Sequence, residues 1–372
     1  GLRRCRRGNP AGWVSAMAIV LQESLRGLFY APYYAALALG AYDKEGVEVR
    51  FASAPSPGQA PQALFDGTVD VAWGGPMRVN QLHAERADCD LVCLGEAVTR
   101  DPFLLVGRTP CPGDALAELM RARVATVSEV PTPWLCLQHD LRLAGFDPAR
   151  LDRVADRSMA QNMTALRGGA VNVVQLFQPL AEELIASGIG HLWYAAANRG
   201  PCSYTTFYAR RATLDAKRDD LLRLVRGLYR TQKWLHAASP EALADTVQPY
   251  FPAVPQPLLR AAVARYRDLG IWGPNPILPR DGYDRLAAGL VSGGFVGSAA
   301  PSTPQSTTAS PNRRCARTRR ACRNGRTCRP LPRCPPRRRR SCGRVVTPAP
   351  PARVRTGRRA APAASPGAAD TS

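Results

Sequence analysis

Residues 29–51 read FYAPYYAALALGAYDKEGVEVRF. An aromatic cluster (Phe29, Tyr30, Tyr33, Tyr34) leads into an Ala/Leu-rich run that predicts a helix from Pro32 to Leu39, closed by Gly40. A polar turn ending at Gly46 follows, and VEVRFA (Val47 to Ala52) alternates as a strand does. Upstream, AIVLQ (Ala18 to Gln22) is a short apolar run of strand type. Strand, helix and strand in that order form a βαβ unit, which packs as part of a parallel sheet covered by helices.

The rhythm continues on both sides of that unit. A helix from Gln59 to Phe65 precedes an Asp66-Gly67 turn and a strand Val69 to Trp73, and further strands fall at Asp90 to Leu94 and Phe103 to Val106. A second block repeats the pattern. It has strands at Arg123 to Val127, Val171 to Phe177 and Leu192 to Ala195, and helices at Pro133 to Ala144, Met159 to Arg167 and Pro179 to Ser187. Thr205 to Ala209 reads as a strand returning to the first block, so the chain crosses twice between two α/β lobes. Beyond Leu214 the spacing of Leu221, Leu222, Val225, Leu228 and Leu235 is helical, and more helices are predicted at Pro240 to Val247, Gln256 to Leu269 and Asp281 to Leu290. Lobe one takes 17–108 and 197–300, and lobe two takes 109–196.

The formal net charge of +21 over 372 residues belongs to the ends. Residues 1–16 hold four Arg and no acid, and residues 302–372 hold eighteen Arg against Asp370; these contributions of four and seventeen leave residues 17–301 neutral. A basic-protein reading of the whole chain is thereby set aside. Residues 1–16 are read as a non-native or upstream leader ahead of Met17. The stretch 302–372, rich in Arg and Pro and with Leu331 as its one Leu, is predicted to be a disordered tail and the product of a frameshift close to Pro301. Its Cys residues are spaced unlike zinc knuckles and no ring is present to stack a base, so no specific nucleic-acid partner is expected. The five Cys between, odd in number and without C-x-x-C, read as small buried residues. No run approaches the ~20 apolar residues of a membrane-spanning helix.

The opening stretch, together with QALFDGTVDVAWGGP (62–76), resembles the substrate-binding proteins of the nitrate, sulfonate, taurine and thiamine-precursor transporters, over about residues 17–300. The resemblance implies a type II periplasmic-binding-protein fold: two α/β lobes, a double crossover, C-terminal helices and a ligand in the cleft. It also implies a monomer that delivers its ligand to an ABC transporter permease, in the periplasm or at a membrane. The start of the chain carries no clear signal peptide, which leaves a cytoplasmic location open.

In open α/β sheets ligands lie beyond the carboxyl ends of strands. Three loops fit. Pro55-Ser56-Pro57-Gly58, Gly74-Gly75-Pro76 and Ser128-Glu129-Val130-Pro131-Thr132-Pro133 each follow a strand and precede a helix, offering free amides to an anionic or carbonyl oxygen. Gly58, Gly74, Gly75, Ser128 and Thr132 are therefore expected ligand contacts. Tyr30, Tyr33 and Trp73 are expected to wall a planar ligand. Gln178 is a polar candidate at another strand end, and Glu96 and Glu129, read as lying in equivalent loops, could meet an amine or an aminopyrimidine edge. The helix starts favour a sulfonate, carboxylate or phosphate, whereas the rings and carboxylates favour a heterocycle such as a thiamine pyrimidine precursor; the balance leans to the heterocycle.

Catalysis has little support. His83, His139, His191 and His236 lack metal spacing, no nucleophile or phosphate-loop motif occurs, and no cofactor is expected. The same broad family includes a thiamine-pyrimidine synthase, whose cofactor-holding Lys and consumed His would fall at Gly74 and Arg78 here. Those substitutions, and the lack of its CCCFC motif, disfavour the enzyme.

Overall fold

The structure is a computed structural model and describes residues 18–297; the leader and tail expected at 1–16 and 302–372 lie outside the described residues. Among the described residues, ten strands form two five-stranded mixed sheets. The first contains β1 (Ile19–Glu23), β2 (Val49–Ser53), β3 (Val71–Gly74), β4 (Leu91–Val98) and, last in sequence, the returning Thr205–Arg210 strand. The second contains β5 (Leu104–Gly107), β6 (Arg123–Ala125), β7 (Asp152–Val154), β8 (Val173–Leu176) and β9 (His191–Ala195), so the returning strand is β10. The spatial orders are β2-β1-β3-β10-β4 and β7-β6-β8-β5-β9.

Strands β1, β2 and β3 run parallel, as do β6, β7 and β8, while β10 and β5 run against their neighbours. Val71–Gly74 and Val173–Leu176 are buried throughout, as parallel strands covered on both faces must be. The chain passes between sheets twice, at residues 99–103 and 196–204, which are the two crossovers.

Helices follow the strands. In the first lobe these are α1 (Ala31–Ala38), α2 (Ala41–Lys44), α3 (Ala60–Phe65) and α4 (Pro76–Glu85); in the second, α5 (Ala115–Leu119), α6 (Thr132–Leu143), α7 (Met159–Arg167) and α8 (Leu180–Ala186). Five more close the described chain: α9 (Arg211–Ala216), α10 (Arg218–Ala237), α11 (Pro240–Val247), α12 (Gln256–Asp268) and α13 (Arg280–Ser292). Among the described residues, no helix is long and apolar enough to cross a membrane.

Local chemistry explains the boundaries. Helix α7 opens on a reciprocal capping box between Ser158 and Gln161. Helix α10 buries Leu221, Leu224, Leu228 and Leu235 along one stripe and turns Arg226 and Arg230 outward to Glu45. Gly227 lets it approach α2, because a Cβ there would stand 2.7 Å from the Tyr42 ring.

Two features tie the lobes together. Helix α13 packs on both α4 and α6, through a small apolar cluster of Met77, Leu135, Cys136, Cys202, Leu286, Leu290 and Val296. At the crossovers, buried Arg199 donates Nη1 to Asp101 Oδ2 at 2.5 Å and Nε to Asp140 Oδ1 at 3.0 Å, while Tyr194 donates to Asp140 at 2.9 Å. Both crossovers and α6 therefore share one buried ion network.

Candidate functional site

In each sheet the chain leaves two adjacent parallel strands in opposite directions: between β1 and β3 in the first, between β6 and β8 in the second. At such a switch point the loops part and leave a crevice. A cavity of about 50 Å3 lies where the two crevices meet. Ser24, Leu25, Phe29 and Tyr30 follow β1, Gly74 ends β3 with Gly75, Met77 and Arg78 after it, Val130 and Thr132 follow β6, and Phe177 follows β8. Phe103 and Tyr204 enter from the crossovers, Tyr208 from β10 and Pro57 from the loop before α3.

The walls are apolar rings. Phe29, Phe103 and Phe177 pack edge to face or tilted with centroids 5.3–6.5 Å apart, and Tyr204 meets Phe103 at 6.1 Å. The Trp272 indole donates to the Phe29 carbonyl at 2.9 Å and fixes its backbone. Polar groups gather at one corner, where Ser24 Oγ and Tyr30 Oη share a hydrogen bond of 3.1 Å. Burial pushes the phenol of Tyr30 above its ordinary range, so the group stays protonated.

Helix α4 starts at this corner. Gly75 precedes it in extended conformation with no side-chain cap, and Pro76 takes the first position, where no amide is needed. The uncapped first turn carries the positive end of the helix dipole into the cavity. Arg78 adds a full charge and is the one ionisable acid or base cation among the lining residues apart from the phenols; no carboxylate lines the cavity. Helix α6 opens on the other side behind Pro131, also uncapped, with Thr132 as its first residue.

The expected site residues divide by position. Tyr30, Gly74, Gly75 and Thr132 line the cavity together. Gly58 is exposed beside Pro57, which lines it. Ser128 and Glu129 are exposed at the rim; Glu129 Oε1 accepts from the Met159 amide at 2.8 Å and caps α7.

Tyr33 and Trp73 are core residues instead of cavity walls. Both are fully buried and stack with centroids 4.7 Å apart and planes at 11°, because the strand and the helix above it turn these rings toward each other. Glu96 was expected in a loop, but β4 runs on to Val98, so Glu96 lies inside the strand opposite Thr206. It accepts from Ser203 Oγ at 2.8 Å, and burial raises its carboxyl to about 7. Gln178 is also occupied: its side chain accepts from the Glu182 amide at 2.9 Å and donates to the Glu182 carboxylate at 3.1 Å, capping α8.

Ser24, Arg78, Phe103, Phe177, Tyr204 and Tyr208 were not among the residues expected to bind ligand. Ser24 lies two residues past the apolar run of β1, where a strand-end rule would have found it. Tyr204 and Tyr208 flank and occupy a strand whose antiparallel placement only the topology reveals.

Both sheets, their connections and the cleft between them define the two-lobed periplasmic-binding-protein fold. Residues 111–249 match the NMT1-like family. The chain is 22% identical over 270 residues to the "Putative binding protein YtlA" of Bacillus subtilis (strain 168), covering 72% of this chain and 81% of that one. The periplasmic aliphatic sulphonate binding protein SsuA of Escherichia coli superimposes with a TM-score of 0.61 at 16% identity, over 75% of this chain and 91% of its own. The alkanesulfonate-binding protein SsuA of Xanthomonas axonopodis pv. citri, bound to MOPS, does so with a TM-score of 0.58 at 15% identity, over 75% and 93%. The sequence resemblance to sulfonate-type binding proteins is thus matched in fold.

Proposed function

We propose that the protein is a solute-binding component of an ABC importer, that it works in the periplasm, and that it captures a small organic anion between its lobes. The observation that carries this reading is the charge of the cavity. Arg78 and the uncapped start of α4 face it, hydroxyls from Ser24, Tyr30, Thr132 and Tyr208 surround it, and no carboxylate lines it. A negative head group gains hydrogen bonds and a favourable field there, whereas an ammonium is opposed by that same field. The aromatic walls suit a short apolar body.

The leaning toward a heterocycle loses its polar support, since Glu96 and Glu129 lie off the cavity and are bonded elsewhere. The synthase alternative fares no better. Lys217 is paired with Asp70 at 2.8 Å, Lys44 donates to the Leu39 carbonyl and Lys233 sits over Tyr229, so none of the three lysines is placed to hold a cofactor in the cleft.

A cavity of about 50 Å3 takes a head group and little more. Entry of a ligand therefore requires the lobes to part about the crossovers and close again, and a ligand that prefers the closed form stabilises it. A thermal-shift panel of short sulfonates and carboxylates, an aminopyrimidine and an alkylamine tests this. Anions should raise the melting temperature and the amine should not. A rise with the aminopyrimidine alone overturns the anion reading.

A further inference from the structure

We infer that Tyr208 is a specificity-determining residue of the cavity, its hydroxyl donating to a charged oxygen of the ligand; this rests on the anion reading above. Tyr208 stands on β10 opposite Ala72 of β3 and Cys93 of β4, is 1% exposed, and lines the cavity. Its hydroxyl has no hydrogen-bond partner among the described residues, whereas that of Tyr30 beside it is paired with Ser24. The hydroxyl oxygens of Tyr33, Tyr42 and Tyr204 are also unpartnered but fully buried, whereas that of Tyr208 is not among those buried oxygens.

The position of the ring tip follows from Gly74. A Cβ on Gly74 would stand 3.3 Å from Tyr208 Cε1 and 3.2 Å from Ser24 Oγ, so phenol, serine and the backbone entering α4 share one corner. The guanidinium of Arg78 is close enough to favour the charged form of the phenol, but burial dominates and holds its acidity far below normal. The hydroxyl is therefore a neutral donor with an unused proton at a positive corner. A free donor facing the cavity gains most from an ionised acceptor, which takes its proton in a charge-assisted hydrogen bond. Tyr208 should thus favour an ionised oxygen over a neutral one of the same shape.

Titration calorimetry on the full chain tests this with ethanesulfonate, propionate and the neutral ethanesulfonamide. Tyr208→Phe should bind whichever anion the wild type binds about 10-fold or more weakly, and lose most of the preference over the sulfonamide. Its melting temperature without ligand should equal or exceed that of the wild type, because the hydroxyl lost had no partner. Equal anion affinity in the two proteins, or a lower melting temperature of the ligand-free variant, overturns the role of Tyr208 alone. Failure of the wild type to bind either anion overturns the anion reading and the inference with it.

Discussion

Phe29 and Phe177 meet edge to face from opposite lobes, ring centroids 5.3 Å apart and planes at 76°. Each follows a strand at the switch point of its own sheet, one after β1 and one after β8. The pair is thus a direct apolar contact between the two halves of the clamp beside the cavity. Truncating Phe177, which is buried, removes that contact and leaves a void, at a cost of about 3 kcal/mol for a ring of this size. Phe177→Ala should lower the melting temperature, weaken ligand binding and increase the radius of gyration in solution scattering. An unchanged radius with unchanged affinity would mean that the ring pair does not hold the lobes together.

Gly74 keeps the polar corner open. A methyl group there would press on Ser24 Oγ and on the Tyr208 ring at 3.2 and 3.3 Å. Gly74→Ala should abolish anion binding by calorimetry while the far-ultraviolet circular dichroism stays that of the wild type. Retained affinity would place the ligand elsewhere.

Arg199 is the one cation between two buried carboxylates, Asp101 and Asp140. Removing it leaves both without their counter-charge, which costs about 3–5 kcal/mol for a buried ion pair broken on one side. Arg199→Ala should therefore be strongly destabilised in denaturant unfolding. The double change Asp101→Asn with Asp140→Asn in the Arg199→Ala background should recover part of the loss, because no uncompensated charge is then buried.

Glu96 gives stability a pH dependence of defined sign. Its carboxyl is raised by burial from 4.5 to about 7, the folded chain holds the proton more tightly than the unfolded one, and stability is highest below the unfolded value and falls as pH rises through that window. A shift of this size amounts to about 3 kcal/mol at most. Glu96→Gln keeps an acceptor for Ser203 and cannot ionise, so its melting temperature should decline less than the wild type's between pH 4.5 and 7. Parallel pH profiles for the two proteins would contradict the assignment.

The strand-helix alternation was legible because parallel strands are continuous apolar runs and helix ends carry glycine and proline. The helix expected at 159–167 and that at 240–247 have those same limits in the structure. Strand β4, expected to end at Leu94, continues through Gly95, at φ +64, to Val98, with bulges against β10. That misplacement sent Glu96 into a loop.

The site was half legible for a related reason. Loop position singled out Tyr30, Gly74, Gly75 and Thr132, since glycine-proline helix starts at strand ends are visible in the letters. Side-chain direction was not visible: Tyr30 and Tyr33 are three apart in sequence, yet one lines the cavity and the other stacks on Trp73. The contributions of Tyr204 and Tyr208 depend on β10 inserting between β3 and β4, which no local pattern encodes.

The most direct measurement is a crystal structure of the protein grown with whichever short sulfonate or carboxylate stabilises it most. The head group should lie between the lobes, bonded to Arg78, the first turn of α4 and the hydroxyls of Tyr208 and Thr132. An anion found on the outer surface, with the cleft holding none, would contradict the account.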